Sequence, residues 1–348
     1  MGGNDGYVTY LKLVRDADTP VSALDLGFAT NENLRPSTLA TFMGWLGDDG
    51  NTYQTGESVP EGVTQLTAQW EVTGEQHPSL TVGEEYWFDL SGVNKTGQTL
   101  NPALPDQTLT WVPFVYMGTV EAYVLNESSD GVTNASDEAS KATVSSATYG
   151  YTYEHSLFLS RDYLFQNTSA TWNDLKGKGL IFGTNMELGG ITYRLRAPSG
   201  DKETENSEWN VMRTKAKDQT FFDAIRDTSC YAMMQDTASS NSSNYTSLNY
   251  DSSYYQSYYK NNKNNGYYTP VLEIPADVDI RPVTVDLGGG FVEEGKGTLK
   301  LAVSAGGFTA PSTQGISGMS GTLVWQGDNG DIYNPAETRA GTVQAPTP

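Results

Sequence analysis

The chain reads as α+β and mostly β, and three observations lead there. Gly, Ser, Thr, Asn and Tyr are abundant, long helical periodicity is scarce, and short apolar runs alternate with turn signals. A length of 348 residues leaves room for two or three domains. The formal charge of −21 makes phosphate-rich partners repulsive, which argues against nucleic acid and anionic membrane as ligands. No apolar run reaches the roughly eighteen residues of a membrane helix, so no membrane insertion is expected. Met1-Gly2-Gly3-Asn4-Asp5-Gly6 has no signal-peptide pattern, and we read the chain as a piece of something longer.

Taken in order, Tyr7–Val14 alternates apolar and polar residues, the pattern of a half-buried strand. Phe42–Tyr53 follows with Asp49-Gly50 between two aromatic-bearing runs, a hairpin signal because Gly accepts positive φ. The segment closes with Leu66-Thr67-Ala68-Gln69-Trp70. Near the C-terminus Val324–Tyr333 repeats the Trp-to-Tyr spacing and the turn, and Val285-Asp286-Leu287-Gly288 echoes Leu24-Asp25-Leu26-Gly27. The stretch FMGWLGDDGNTYQTGESVP…LTAQW resembles the internalin-type B repeats of bacterial surface proteins, which are small β-grasp-like modules. The resemblance covers about residues 7–72 and, in a divergent copy lacking the closing Ala-Gln-Trp, about 281–345. It implies β modules at 1–72 and 281–348 that act as spacers, with Trp45 and Trp325 in their cores.

Between them, Tyr86–Gly92 and Leu109–Tyr116 are strand candidates, and residues 126–147 are small and polar, a long loop or insertion. Tyr151–Ser160 is apolar again. Thr171-Trp172-Asn173-Asp174-Leu175 is a capped helical turn. Leu180–Gly183 and Ile191–Pro198 are expected to be strands around a Gly189-Gly190 turn. Glu208–Met212 and Phe221–Ile225 are short helix candidates.

The most unusual stretch is Ser239–Tyr268. Its thirty residues hold eight Tyr, seven Asn and eight Ser, with Leu248 the only aliphatic side chain, so it cannot bury a core of its own. Antibody binding loops converge on this composition, with Tyr as rigid contact area and Ser and Asn as adaptable hydrogen-bonding groups. Composition alone also suits a disordered, prion-like or linker tract. Tyr267–Ile274 reads as a strand, however, so the tract enters folded structure directly. We read it as a displayed binding surface whose candidate ligand contacts are Asn244, Tyr245, Ser247, Asn249, Tyr250, Asp251, Ser252, Tyr254, Tyr255, Tyr258, Tyr259, Asn261, Asn262, Tyr267 and Tyr268.

The motifs EHSLF, TWNDL, GLIFG, ITYRLRAPS, SEWNVM, QDT and PVLEI, in this order, are similar to surface proteins of gut bacteria that carry a C-type-lectin-like domain, a fold related to the formylglycine-generating-enzyme type. The resemblance covers about residues 84–276. Where such proteins carry an Arg-Gly-Tyr-Tyr-Ser-Ala-Arg-like run and then Gly-Phe-Arg-Pro, this chain has Asn249–Tyr255 and Gly266–Pro270. Departures of this kind, made of Asn, Ser, Tyr, Asp and Thr, resemble the variable region of diversity-generating retroelement proteins. The architecture implied is a central C-type-lectin-like ligand-binding domain flanked by two small β-grasp-like modules.

Little in the sequence points to catalysis, and the chain is not read as an enzyme. His77 and His155 are its only histidines, no Gly-x-Ser-x-Gly elbow occurs, and Cys230 has no partner cysteine for a disulfide or an oxidase pair. Zinc lacks a ligand cluster. Asp48-Asp49 and Asp328–Asp331 offer oxygen ligands for calcium, but they occupy hairpin turns that favour Asp and Asn anyway. The pairs Glu84-Glu85 and Glu293-Glu294 are adjacent, so on strands they point to opposite faces. Asn-x-Ser/Thr sequons, among them those starting at Asn126, Asn134, Asn167, Asn241 and Asn244, follow from a composition this rich in these residues. We therefore expect an extracellular adhesin of the bacterial cell surface, without cofactor or metal, that binds a protein or a glycan on another cell or phage. The rival readings are a polysaccharide-acting enzyme using the tract as a platform, and a purely structural stalk.

Overall fold

The computed structural model of the chain describes residues 2–4, 7–12, 21–22, 40–72, 74–91, 109–121, 154–166, 170–200, 208–218, 231–238, 241–249, 255–259, 261, 266–275, 278–327, 330–335 and 338–340. The architecture is mostly β, with two helices among these residues. No helix among them is long and apolar enough to cross a membrane.

The N-terminal strands are β1 (Gly2–Asn4), β2 (Tyr7–Lys12), β3 (Val21–Ser22), β4 (Ala40–Gly47), β5 (Thr52–Tyr53), β6 (Ser58–Val59) and β7 (Gln65–Val72). Five of them form an antiparallel sheet in the order β1-β2-β7-β4-β5, and β3 pairs with β6. The Asp49-Gly50 hairpin forms as its sequence predicts. Trp45 stands opposite Tyr53, and Gly50 takes φ +83°, a conformation that side chains with a Cβ resist. Both turn carboxylates are hydrogen-bonded, Asp49 within the hairpin and Asp48 to the segment before β7. Asp49 accepts from the Asn51 side chain at 2.8 Å and from the Tyr53 hydroxyl at 2.6 Å, and Asp48 accepts from the Thr64 amide at 3.0 Å. Trp45 is fully buried.

The central strands are β8 (Glu85–Asp89), β9 (Trp111–Glu121), β10 (Glu154–Ser160), β11 (Phe165–Gln166), β12 (Thr184–Leu188), β13 (Ile191–Arg196), β14 (Tyr231–Ala238), β15 (Asn241–Asn249), β16 (Tyr255–Tyr259), β17 (Gly266–Tyr268) and β18 (Val271–Ile274), with helices α1 (Trp172–Gly177) and α2 (Glu208–Asp218). A six-stranded antiparallel sheet runs β12-β13-β18-β10-β9-β8. It is buried on both faces, which explains strands that read as continuous apolar runs. On one face Phe88, Phe114, Phe158 and Tyr193 meet edge to face, with ring centroids 5.1–6.3 Å apart. On the other, Val115, Met117, Leu157, Leu159 and Val271 pack against Trp209 and Met212 of α2. Gly118 bulges β9 at φ +78° and makes room for Glu75, whose carboxylate accepts from the Thr119 amide at 2.8 Å.

Thr171 caps α1 in a capping box with Asp174, as the Thr-Trp-Asn-Asp sequence implies. Leu180–Gly183, expected as a strand, is instead a turn. Its three apolar side chains are buried, but the chain winds back on α1 through the Leu180 amide to the Leu175 carbonyl (2.9 Å). The partner of β13 across the Gly189-Gly190 turn is β12. The candidates at 126–147, Phe221–Ile225 and Leu24–Gly27 lie outside the described residues.

The C-terminal strands are β19 (Ile280–Asp286), β20 (Thr298–Ser304), β21 (Gly307–Thr309), β22 (Trp325–Gln326), β23 (Ile332–Tyr333) and β24 (Thr338–Ala340). The repeat seen in sequence recurs as geometry. Trp325 stands opposite Tyr333, and the amide of Gly327 donates to the Asp331 carbonyl as that of Gly47 does to Asn51. The burial differs, because Trp325 is only half-buried, its indole donating to the Pro311 carbonyl at 2.8 Å.

Residues 280–304 share a core with the central strands. Leu287, Leu299, Leu301 and Val303 cluster with Trp87 and Trp111. Beside them the Arg161 guanidinium lies 5.5 Å from the Trp87 ring and donates to Glu85, Asp162 and Glu293, each at 2.8 Å. Lys296 and Lys300 pair with Glu85 and Glu84. The boundary expected at 276–281 thus separates segments that pack together. Arg161→Ala removes the cation that Glu85, Asp162 and Glu293 share and is expected to speed amide exchange through β19 and β20 by about tenfold or more, leaving β4 and β7 unchanged. Equal exchange rates in the two proteins would show that this cluster does not hold the hairpin.

Candidate ligand-binding sheet

The Tyr/Asn/Ser tract forms most of a second central sheet, ordered β11-β17-β14-β15-β16, in which β14 and β17 are parallel and the other pairs antiparallel. A segment with one aliphatic residue becomes a strand here because its neighbours supply the apolar surface. Tyr245 is fully buried, stacked on Trp172 of α1 with ring planes 12° apart. Trp172 in turn donates its indole N–H to the Met234 carbonyl at 3.0 Å. Leu248 packs on the opposite side with Ala232, Met234 and Trp209. Ser247 donates to the Ala232 carbonyl at 3.1 Å. Gly266 has no side chain for a specific reason: a Cβ there would collide with the Tyr245 hydroxyl and press on Met233.

The fifteen candidate contacts therefore separate. Tyr245, Ser247 and Tyr268 are core groups and not displayed ones, a correction to the expectation. Strand alternation turns Tyr245 and Ser247 inward, and the Tyr268 hydroxyl donates to the Leu180 carbonyl at 2.7 Å. Asn244 and Tyr267 are half-buried. Tyr259 is 54% exposed, and Asn261 is exposed and hydrogen-bonded to the Asn173 side chain on α1. Asn249, Tyr255 and Tyr258 occupy strand positions opposite Tyr231, Leu248 and Tyr245. Tyr250, Asp251, Ser252, Tyr254 and Asn262 lie outside the described residues.

Two exposed residues outside the tract, Tyr163 and Asn173, contact it beside this sheet. Leu164 is buried and its amide donates to the Tyr268 carbonyl at 2.9 Å, which leaves neighbouring Tyr163 37% exposed against Tyr267, ring centroids 4.8 Å apart. Asn173 is the second. Neither carries a compositional signal, because both reach the sheet through long-range pairing.

His155 and several of the carboxylates are engaged away from this sheet. His155 lies buried with Nε2 3.1 Å from Glu208 Oε1. Glu208 also accepts from both Arg196 Nη atoms (2.9 and 2.6 Å) and from the Ser199 amide and hydroxyl (2.8 and 3.0 Å). Burial alone would raise the Glu208 carboxyl. The charge and hydrogen bonds of Arg196, with His155 beside them, overcome that and hold it well below the ordinary glutamate range. Glu84, Glu85 and Glu293 are tied into the ion pairs with Arg161, Lys296 and Lys300. Among the described residues no three His, Cys, Asp or Glu side chains gather as a metal site. Cys230, Asp328 and Asn329 are not among them.

Comparison with protein-family models, with curated proteins and with solved structures returns no match.

Proposed function

We propose that this chain is a ligand-binding segment of a bacterial cell-surface adhesin, and that the exposed part of the Tyr/Asn/Ser tract is its binding surface, built on a C-type-lectin-like scaffold and diversified among siblings. The supporting observation is the division within the tract itself. Tyr245, Leu248 and Tyr268 anchor it in two apolar clusters, while Tyr259 and Asn261 stand out at the far edge. Rigid aromatic contacts held on a packed scaffold lose little conformational entropy on binding. The β modules at either end space this surface from its anchor.

The test is a quadruple replacement of Tyr254, Tyr255, Tyr258 and Tyr259 by Ala, applied to an array of glycans and purified cell-surface proteins. Interface tyrosines of this kind contribute about 2 kcal/mol each, so binding to whatever the native chain captures is expected to fall more than about a hundredfold at an unchanged thermal midpoint. Full retention of binding would place the site elsewhere. Loss of folding would make these tyrosines structural.

A further inference from the structure

On the binding reading above, we infer that Tyr163 and Tyr267 form a stacking subsite for a neutral carbohydrate, so that the binding surface extends beyond the tract onto the segment before β11. The pair stands at the β11–β17 edge of the second sheet, with ring planes at 48° and centroids 4.8 Å apart. Its placement is set by backbone pairing. Gln166 stands opposite Tyr267 and Phe165 opposite Tyr268, while buried Leu164 and Tyr268 fix the chain on each side. Tyr163 is thus braced by a second ring before any ligand arrives.

The chemistry around the pair selects the ligand class. Among the residues of 84–276 whose side-chain exposure the structure describes, the exposed large apolar side chains are Tyr163 and Tyr259. A protein interface centres on a contiguous apolar patch, whereas isolated aromatic faces rimmed by hydroxyls and amides suit a sugar. The negative face of a tyrosine ring attracts the weakly positive C–H groups on one face of a pyranose. The carboxylate next to Tyr163 in the chain, Asp162, is held by Arg161 through Nε at 3.0 Å and Nη2 at 2.8 Å, so that charge is already paired. With a chain charge of −21, an acidic sugar is repelled. Neutral glycans fit on both counts.

The experiment uses the full chain and an array of neutral and sialylated or sulfated oligosaccharides, followed by titration of the best neutral binder. Tyr163→Ala is expected to weaken that binding by about tenfold or more, and Tyr163→Trp to keep it, both at the native thermal midpoint. Tyr163→Leu keeps apolar bulk against Tyr267 without a π face, so it is expected to lose binding too and serves if the Ala variant unfolds. Native-like binding by Tyr163→Leu overturns the subsite. So does loss of binding in the tract variant alone, which leaves the broader reading standing. Capture of only acidic glycans or of proteins, or no glycan binding at all, overturns the ligand class.

Discussion

Glu208→Ala is expected to destabilise the folded chain by about 3–5 kcal/mol, because it leaves the buried Arg196 guanidinium beside Glu273 alone and strips the Ser199 amide of its acceptor. Chemical denaturation at neutral pH reads the effect as a lower midpoint with an unchanged slope. The pH dependence has a definite sign. The Glu208 carboxyl titrates lower in the folded chain than in the unfolded one, so its contribution is complete above the ordinary glutamate value of 4.5 and is lost as pH falls toward the depressed folded value. The wild type should therefore lose stability below that pH more steeply than Glu208→Ala. A double replacement, Arg196→Met with Glu208→Leu, should recover part of the loss, since the fully buried pair is gone and only the largely buried Glu273 carboxylate loses its guanidinium. Parallel acid profiles for wild type and Glu208→Ala would mean that the cluster contributes nothing to acid sensitivity.

Trp172→Ala is expected to cost about 3–5 kcal/mol and to act on the tract through Tyr245, which lies 73 positions further along the chain. Trp172 is fully buried, stacks on Tyr245 and donates to the Met234 carbonyl, so its loss opens a cavity beneath β15 and orphans a carbonyl in β14. Tyr-specific fluorescence and amide exchange in β15 should report the loosening first. Loss of global stability without any change in β15 protection would separate α1 from the tract.

The sequence was most informative where chemistry is local. The hairpin at Asp49-Gly50, its copy opposite Trp325 and the capping box at Thr171 follow from residues a few positions apart. An apolar run does not distinguish a buried turn from a buried strand, so Leu180–Gly183 reads as a strand and folds as a turn. Composition marked the tract as a unit but not which tyrosines turn inward. That division depends on Trp172 and on Leu180, whose carbonyl takes the Tyr268 hydroxyl, both distant in sequence. For the same reason Tyr163 gave no signal before its strand was paired. The packing of residues 280–304 on Trp87 and Trp111 is equally long-range, and a repeat pattern suggests separate modules without revealing the surface they share.

The claim on which the rest depends is that the tract is scaffolded backbone and not a polar linker, and native-state amide exchange of the full chain tests it without knowledge of any ligand. The pairing of β15 between β14 and β16 predicts that amides within 244–248 and 255–259 exchange at least about a hundredfold more slowly than an unstructured peptide of the same sequence, with those of Tyr245 and Leu248 among the slowest. Exchange of these amides at the unstructured rate, while β9 and β10 remain protected, would contradict the account.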